Sequence, residues 1–383
     1  MSVTLHWFLP TSGDGRTIVE RFHANRSPGP PAHREAGIDY LAQVARAAER
    51  LGFEGVLTPT GTWCEDAWLV TAALIRETRR LKYLVAFRPG SVSPTLAAQM
   101  AATYQRISGG RLLLNVVTGG DAIEQRRFGD WHDHDQRYAR TDEFLTIVRG
   151  VWGGAPFDFA GEHLRVEGAT VLAPPDPVPS VYFGGSSPAA LPVAARHADV
   201  YLTWGEPPGL VADKIGKVRR LAEAEGRRVR FGIRLHTISR DTSGEAWAEA
   251  GKLLNALNPE QVAKAQAQLA ASESVGQQRM VALHGGDPSK GVRGLEIHPN
   301  LWAGIGLVRG GAGTALVGSH TEVADLIEEY HALGVEEFVL SGYPHLEEAY
   351  WFGEGVRPEL ARRGLLAGEG SRGYDREAVT AVR

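Results

Sequence analysis

The chain has 383 residues, 43% of them hydrophobic and 22% charged, which is enough apolar material for one large α/β core. Basic and acidic residues nearly balance, 41 against 45 for a net charge of -4, so there is no basic footprint for nucleic acid or an anionic membrane. The single cysteine excludes an intrachain disulfide and fits a reducing cytoplasm.

Val3–Pro10 reads as a first strand, aromatic and aliphatic until proline stops it. It lacks a basic n-region and a long apolar stretch, so no signal peptide is expected, and no window reaches the roughly 18–20 apolar residues of a membrane span. Thr11–Gly37 is rich in Gly, Pro and polar residues and predicts a long loop. Ile38, Leu41, Val44, Ala45, Ala48 and Leu51 then recur at helical spacing, with Gly52 as C-terminal cap. Strand Gly55–Pro59, helix Asp66–Arg79, strand Leu81–Arg88, helix Thr95–Ile107 and strand Arg111–Thr118 follow.

The second half repeats the rhythm. Arg137–Trp152 predicts a helix, and Phe157–Val171, with its Ala160-Gly161 turn, a hairpin insertion. Strand Ser180–Phe183 leads through Gly184-Gly185-Ser186-Ser187 into a helix; strand Val200–Trp204 precedes helix Leu210–Glu225. Strand Arg230–Ser239, helix Glu245–Leu257, helix Glu322–Leu333 and strand Glu337–Ser341 complete the series. Eight candidate strands, near residues 3, 55, 81, 111, 180, 200, 230 and 337, favour a closed (β/α)8 TIM barrel over the open doubly wound sheet that the same alternation allows. One domain over residues 1–360 is expected, then a Gly- and Arg-rich tail, 361–383, with little order. Asn258–Gly318 is too long for a plain connection. Its glycines make it a candidate lid; a packed excursion or an oligomer contact is the plainer reading.

Active groups of such a barrel collect at the C-terminal ends of the strands. Arg234 and His236, two apart on the seventh strand, share a face and would suit an oxyanion and a proton transfer; a structural ion pair and a core histidine is the alternative. Tyr343 and His345 share the same spacing after the last strand and could donate protons, unless the phenol merely packs over the barrel end. Gly184-Gly185-Ser186-Ser187 offers a backbone nest and a helix start to a phosphate, or is a plain turn. Asn115 and Thr118 end the fourth strand, where they could touch a flavin ring or ribityl chain. Cys64 stands where a helix is expected to begin, which would favour a thiolate, although a lone cysteine is commonly just packed. His132-Asp133-His134-Asp135 is too compact to close a metal site, and no metal is expected.

At these residues the chain resembles the FMNH₂-dependent alkanesulfonate monooxygenases of the bacterial-luciferase-like superfamily. The matching segments run from Trp7-Phe-Leu-Pro-Thr to Glu347-Glu-Ala-Tyr350. They include Cys64-Glu-Asp-Ala-Trp68, Asn115-Val-Val-Thr-Gly119, Tyr182-Phe-Gly-Gly-Ser-Ser187, Tyr201-Leu-Thr-Trp-Gly-Glu-Pro-Pro208, Phe231-Gly-Ile-Arg-Leu-His236 and Leu340-Ser-Gly-Tyr-Pro-His-Leu-Glu-Glu348. The resemblance implies a TIM barrel with a mobile insertion before the last strand. It implies that a separate NAD(P)H-dependent FMN reductase supplies reduced FMN, which with O₂ oxygenates a small-molecule sulfonate and releases sulfite and an aldehyde. It further implies a cytoplasmic homodimer or homotetramer. Arg234, His236, Tyr343 and His345 match the family's active-site residues, Arg309 its lid arginine, and Cys64 a cysteine near the flavin. Tyr138, Ser186 and Ser187, beside Gly185, match positions near the FMN phosphate, and Trp204 is expected at the substrate.

The departures lie near the N-terminus. Thr11-Ser-Gly-Asp-Gly15 replaces Thr-His-Gly-Asp-Gly, and Gly61-Thr-Trp-Cys64 replaces Gly-Arg-Ser-Cys. The loop from Arg16 to Gly37 is long and holds Arg21, His23, Arg26 and Arg34, and His6 stands where an apolar residue is usual. These changes are expected to cluster where substrate enters and favour a bulkier or hydroxylated sulfonate, a sulfosugar such as sulfoquinovose above all. Another luciferase-like flavin or F420 oxidoreductase, and a non-catalytic flavin- or sulfonate-binding protein, are the competing functions.

Overall fold

The computed structural model describes residues 2–18 and 33–366. Arg21, His23 and Arg26, and the tail from residue 367, lie outside the described residues. Eight strands form the centre: β1 (Thr4–Phe8), β2 (Gly55–Thr58), β3 (Lys82–Phe87), β4 (Leu112–Val116), β5 (Val181–Phe183), β6 (Val200–Trp204), β7 (Arg230–Arg240) and β8 (Val335–Ser341). Each pairs in parallel with the next, and β8 pairs in parallel with β1, so the sheet closes. The fold is a (β/α)8 barrel, and the expected strands are all present; the open sheet is set aside because the β8–β1 ladder leaves no edge.

The helices cover the outside for the reason their spacing gives. In Ile38–Arg50, Leu41, Val44, Ala45 and Ala48 are buried, whereas Ile38 lies half exposed at the helix start. Gly52 ends the turn at φ 82°, a conformation that favours glycine. Phe157–Ala160 and Arg165–Ala169 form the antiparallel hairpin. Residues 361–366 stay with the barrel, because helix Arg357–Arg362 runs across residue 360 and Leu365 O accepts the Val3 N–H at 2.6 Å. Among the described residues no helix is long and apolar enough to cross a membrane.

The segment before β8 is built rather than loose. It holds helices Pro259–Ala270 and Val275–His284 and short strands Glu296–His298, Leu301–Trp302 and Ala315–Ser319. β7 explains its placement. β6 ends opposite Arg234, so the same edge of β7 is unpaired from His236 onward, and Ala315–Ser319 takes it in parallel register, Ala315 against His236. The insertion is thereby stitched to the strand that carries Arg234 and His236.

Alternation along the strands divides the barrel interior into three levels. An apolar middle is packed from Phe8, Leu57, Leu84, Leu113, Leu202 and Val339. Toward the strand N-termini lies a closed polar network. Glu337, buried, accepts from His6 Nε2 at 3.1 Å and from Tyr182 and Arg230. His6 therefore does not stand at a substrate entrance as expected from its position in the sequence; it points inward below the apolar level because Glu337 offers it a partner there. At the opposite end the interior is cationic.

Burial works to raise the Glu337 carboxyl pKa, but the hydrogen bond and charge of His6 and the Arg230 guanidinium outweigh it, and the group stays below the usual range. A folded pKa below the unfolded one means that the stabilisation is complete above the ordinary glutamate value of 4.5 and is lost as pH falls through the lower folded value. Glu337→Ala strands two buried donors, His6 and Tyr182, and frees the half-exposed Arg230, and is expected to cost about 3–5 kcal/mol at neutral pH, read by urea unfolding. The gap from the parent protein is expected to shrink in acid.

Candidate active site

β7 presents Arg234 and His236 inward at the C-terminal mouth, both buried. Arg234 donates to Leu235 O at 2.5 Å and Ser341 Oγ at 2.8 Å, and its guanidinium lies 4.9 Å from the centre of the Phe8 ring. The insertion delivers Arg309 to the same place. Its Nη1 is 2.8 Å from His236 Nε2, and its guanidinium is 5.4 Å from the Phe8 ring and 5.8 Å from that of Tyr343. Tyr343 stacks on His236 at 5.5 Å and meets His345 edge-on at 5.2 Å. Arg234, His236, Arg309, Tyr343 and His345, spread from residue 234 to residue 345, thus share one site.

Donor and acceptor counting assigns the chain of bonds. His236 Nε2 is closer to the Arg309 donor, 2.8 Å, than to Ala312 O, 3.1 Å, so it accepts from Arg309. Nδ1–H then donates to Ser341 Oγ at 2.7 Å, and the second lone pair of that hydroxyl takes the Arg234 hydrogen. Burial first, then Arg309 and Arg234, push His236 well below the ordinary histidine pKa of 6.5, so the ring is neutral. Burial and the Arg309 charge likewise push Arg234 down to about 9. A guanidinium keeps its proton far above neutrality, so this shift reports the cost of two cations in one dry site. The partners of Arg234 are carbonyls, a hydroxyl and a ring face, all uncharged at neutral pH. An anion with several acceptor oxygens is what such a site lacks.

A second cluster forms on the β5 side. Gly184 and Gly185 can only be glycine, since a Cβ would lie 2.8 Å from Leu202 O and 2.6 Å from Ala190 Cβ respectively. Tyr138 and Tyr201 flank the turn: the Tyr138 hydroxyl lies against Gly185, and Tyr201 donates to Gly185 O. Helix Ala190–His197 starts directly after it, with Ala190 N–H on Ser187 Oγ at 3.2 Å. Backbone N–H groups, two serine hydroxyls and a helix start make a cradle whose donor set fits a phosphate.

The other expected residues lie as follows. Asn115 ends β4 on the inward face, paired with Ala86 and Tyr182. The Thr118 hydroxyl is turned to Thr141 at 3.3 Å. Trp204 ends β6 opposite Arg234 and packs under Gly276 of the insertion. Cys64 precedes the N-cap of helix Ala67–Leu74, which is Asp66, and its Sγ faces the carbonyls of Pro59 and Gly61 at 3.7 and 3.6 Å. The thiol therefore meets acceptors rather than the helix N–H groups expected from sequence. The His132–Asp135 run is spent locally: Asp133 caps helix His134–Trp152, His132 bonds Asp130 and His134 bonds Asp135.

Phe8, Asp14 and Ser341 complete the site and were not singled out from sequence. Phe8 and Ser341 share the inward parity of their strands, a signal that becomes specific only once the barrel is closed. The insertion docks over the mouth through Arg137 on Glu273 at 2.8 Å, Ser272 on Gly120 O at 3.2 Å, and Arg279 on the buried Glu206. The remaining cavity, about 40 Å³, is lined by Phe8, Ser12, Thr17, His33, Arg309 and His345 among others. That is room for about one water, so an organic anion enters only if the insertion shifts. A wider groove of about 550 Å³, lined by Asp241, His320, Glu347 and Trp351 among others, has no arginine in its wall and does not suit an anion.

The sequence profile of the luciferase-like monooxygenases matches residues 5–337. The chain belongs to the luciferase-like monooxygenase family. Its fold is similar to solved structures of this kind. Riboflavin lyase RcaE, crystallised with modified FMN and riboflavin, superposes with TM-score 0.79 at 21% identity, over 96% of this chain and 93% of that one. The long-chain alkane monooxygenase LadA gives 0.76 at 19% identity, over 97% and 94%. DmoA from Hyphomicrobium sulfonivorans gives 0.77 at 20% identity, over 96% and 89%. For the family member described here, inorganic sulfate is expected to raise the Tm by occupying the Arg234–Arg309 site. Arg234→Ala is expected to abolish that rise, measured by differential scanning fluorimetry at constant ionic strength.

Proposed function

We propose that this chain is a flavin-dependent monooxygenase that cleaves the carbon–sulfur bond of an organosulfonate. The observation that carries the reading is the pair of buried guanidiniums, Arg234 and Arg309, converging beside a neutral imidazole. A sulfonate is a permanent anion with three acceptor oxygens, and two forked donors can hold it without a proton being exchanged. The balanced reaction is R–CH₂–SO₃⁻ + O₂ + FMNH₂ → R–CHO + HSO₃⁻ + FMN + H₂O.

Gly185, Ser186, Ser187 and Tyr138 would hold the FMN phosphate, with Asn115 and Thr118 along the ribityl and ring and Cys64 near the flavin. Bound reduced FMN supplies the two electrons that activate O₂. Arg234 and Arg309 orient the sulfonate and lower the cost of charge moving onto sulfite. Tyr343 and His345 stand where a proton can be given to or taken from the reacting atoms. Trp204 walls the substrate, and the docked insertion keeps water out.

The polar rim at Ser12, Thr17 and His33 supports a hydroxylated substrate, a sulfosugar such as sulfoquinovose, over a plain alkanesulfonate. A separate NAD(P)H-dependent FMN reductase as partner, a cytoplasmic location and a homodimer or homotetramer belong to the same proposal.

Sulfite release is measured with FMN, a flavin reductase, NAD(P)H and O₂ across alkane-, aryl- and sugar-sulfonates. Sulfite from a hydroxylated sulfonate is the expected result; none from any of them sinks the reading, and turnover with F420 in its place transfers the chain to the deazaflavin oxidoreductases. Arg234→Ala should lower sulfite release on the order of 100-fold or more with FMN affinity held within a few-fold. Gly185→Ala should do the reverse, weakening FMN binding in a fluorescence titration while the sulfate-induced rise in Tm remains.

A further inference from the structure

Asp14 lies in the loop after β1, buried, and collects four donors. Gly15 N–H and His345 N–H reach it at 2.8 Å each, the Tyr40 hydroxyl donates to Oδ2, and His345 Nδ1 stands 2.9 Å from Oδ1. Burial alone would raise its pKa, but the interaction with His345 and the hydrogen bonds from Tyr40 and Gly15 outweigh that and hold it below the usual carboxylate range. An ionised carboxylate only accepts, so Nδ1 must carry the hydrogen in that contact.

The rest of the packing leaves the ring one orientation. Trp7 Nε1 donates to His345 O at 3.0 Å and pins the backbone. Phe8, at 5.4 Å between ring centres, and Tyr343, edge-on at 5.2 Å, pack against the imidazole. Pro344, the N-cap of helix His345–Trp351, provides no side-chain cap, so Asp14 also serves that helix start from outside. Nε2, on the side of the ring away from Asp14, is buried and has no hydrogen-bond partner among the described residues. His345 lines the cavity that also meets Ser12, Thr17, His33 and Arg309.

We infer that Asp14 is a positioning residue that locks His345 in the Nδ1–H tautomer, so that Nε2 is presented to the cavity as a hydrogen-bond acceptor for substrate. A loop staple would need only the two backbone N–H contacts; the imidazole contact is what a staple does not require. The use of Nε2 toward substrate rests on the desulfonation reading, while the orientation of the ring does not.

The test is ¹H–¹⁵N long-range correlation spectroscopy of ¹⁵N-histidine-labelled, FMN-loaded protein at alkaline pH, with the His345 signals assigned by their loss in His345→Gln. The expected spectrum shows a pyrrole-type Nδ1 and a pyridine-type Nε2. Asp14→Asn keeps an acceptor for only one of the two backbone N–H groups, which reach different oxygens, and removes the charge. It should mix the tautomers and lower kcat for sulfite release on the order of 100-fold with KM within a few-fold. Asp14→Glu should restore the Nδ1–H signature and part of kcat. A parent spectrum showing Nε2–H, or an unchanged Nδ1–H spectrum in Asp14→Asn, overturns the inference, and the parent measurement decides even if both variants unfold. The expected spectra with no sulfite from any sulfonate would leave the positioning intact and overturn the reaction instead.

Discussion

Two guanidiniums that share a dry site repel each other, and most of the architecture above the apolar level answers that repulsion. Arg234 and Arg309 are separated from water, and the neutral His236 links them through Ser341 without adding charge. The Phe8 face lies within reach of both cations, 4.9 and 5.4 Å from its centre, and supplies the quadrupole attraction that a carboxylate would otherwise provide. Around Arg234 the partners are backbone carbonyls, a hydroxyl and a ring.

The contrast within one barrel is instructive. At the strand N-termini the cation Arg230 meets its counter-charge, Glu337, and the network is closed with His6 and Tyr182. At the C-termini the hydrogen-bond partners of Arg234 are carbonyls and a hydroxyl. The apolar level of Phe8, Leu57, Leu84, Leu113, Leu202 and Val339 separates the two, so the lower carboxylate does not discharge the upper arginines. The first network contributes to stability; the second leaves stability unclaimed, as expected of a binding site.

The insertion solves a geometric problem as well as an electrostatic one. β7 is longer than its barrel neighbour β6, and the strand Ala315–Ser319 covers the exposed ladder. That pairing fixes where Arg309 falls. The far end of the insertion is held by polar contacts, Arg137 with Glu273, Ser272 with Gly120 and Arg279 with Glu206, and by the Trp204 ring under Gly276. These contacts are few and local, whereas the strand pairing runs over five residues of β7. The strand pairing anchors one end, and admission to a cavity of about 40 Å³ requires the other to shift.

Periodicity was sufficient for the eight strands, the helix faces such as Leu41, Val44 and Ala48, and the hairpin, because those depend on local spacing and on burying one face. The ordered motifs were sufficient for the family, and spacing two on β7 placed Arg234 and His236 on one side. The sequence could not place His6, which only a partner 331 residues away turns inward, nor remove Cys64 from a helix start, which depends on where Asp66 caps. It did not single out Asp14, Phe8 or Ser341, because a buried carboxylate, a ring beneath two cations and a bridging hydroxyl are defined by what they touch. The amino-acid sequence by itself determined the barrel and the kinds of group at its mouth. Only the tertiary structure decided which of them share a desolvated site, since burial and charge proximity are properties of distance in space and not of order along the chain.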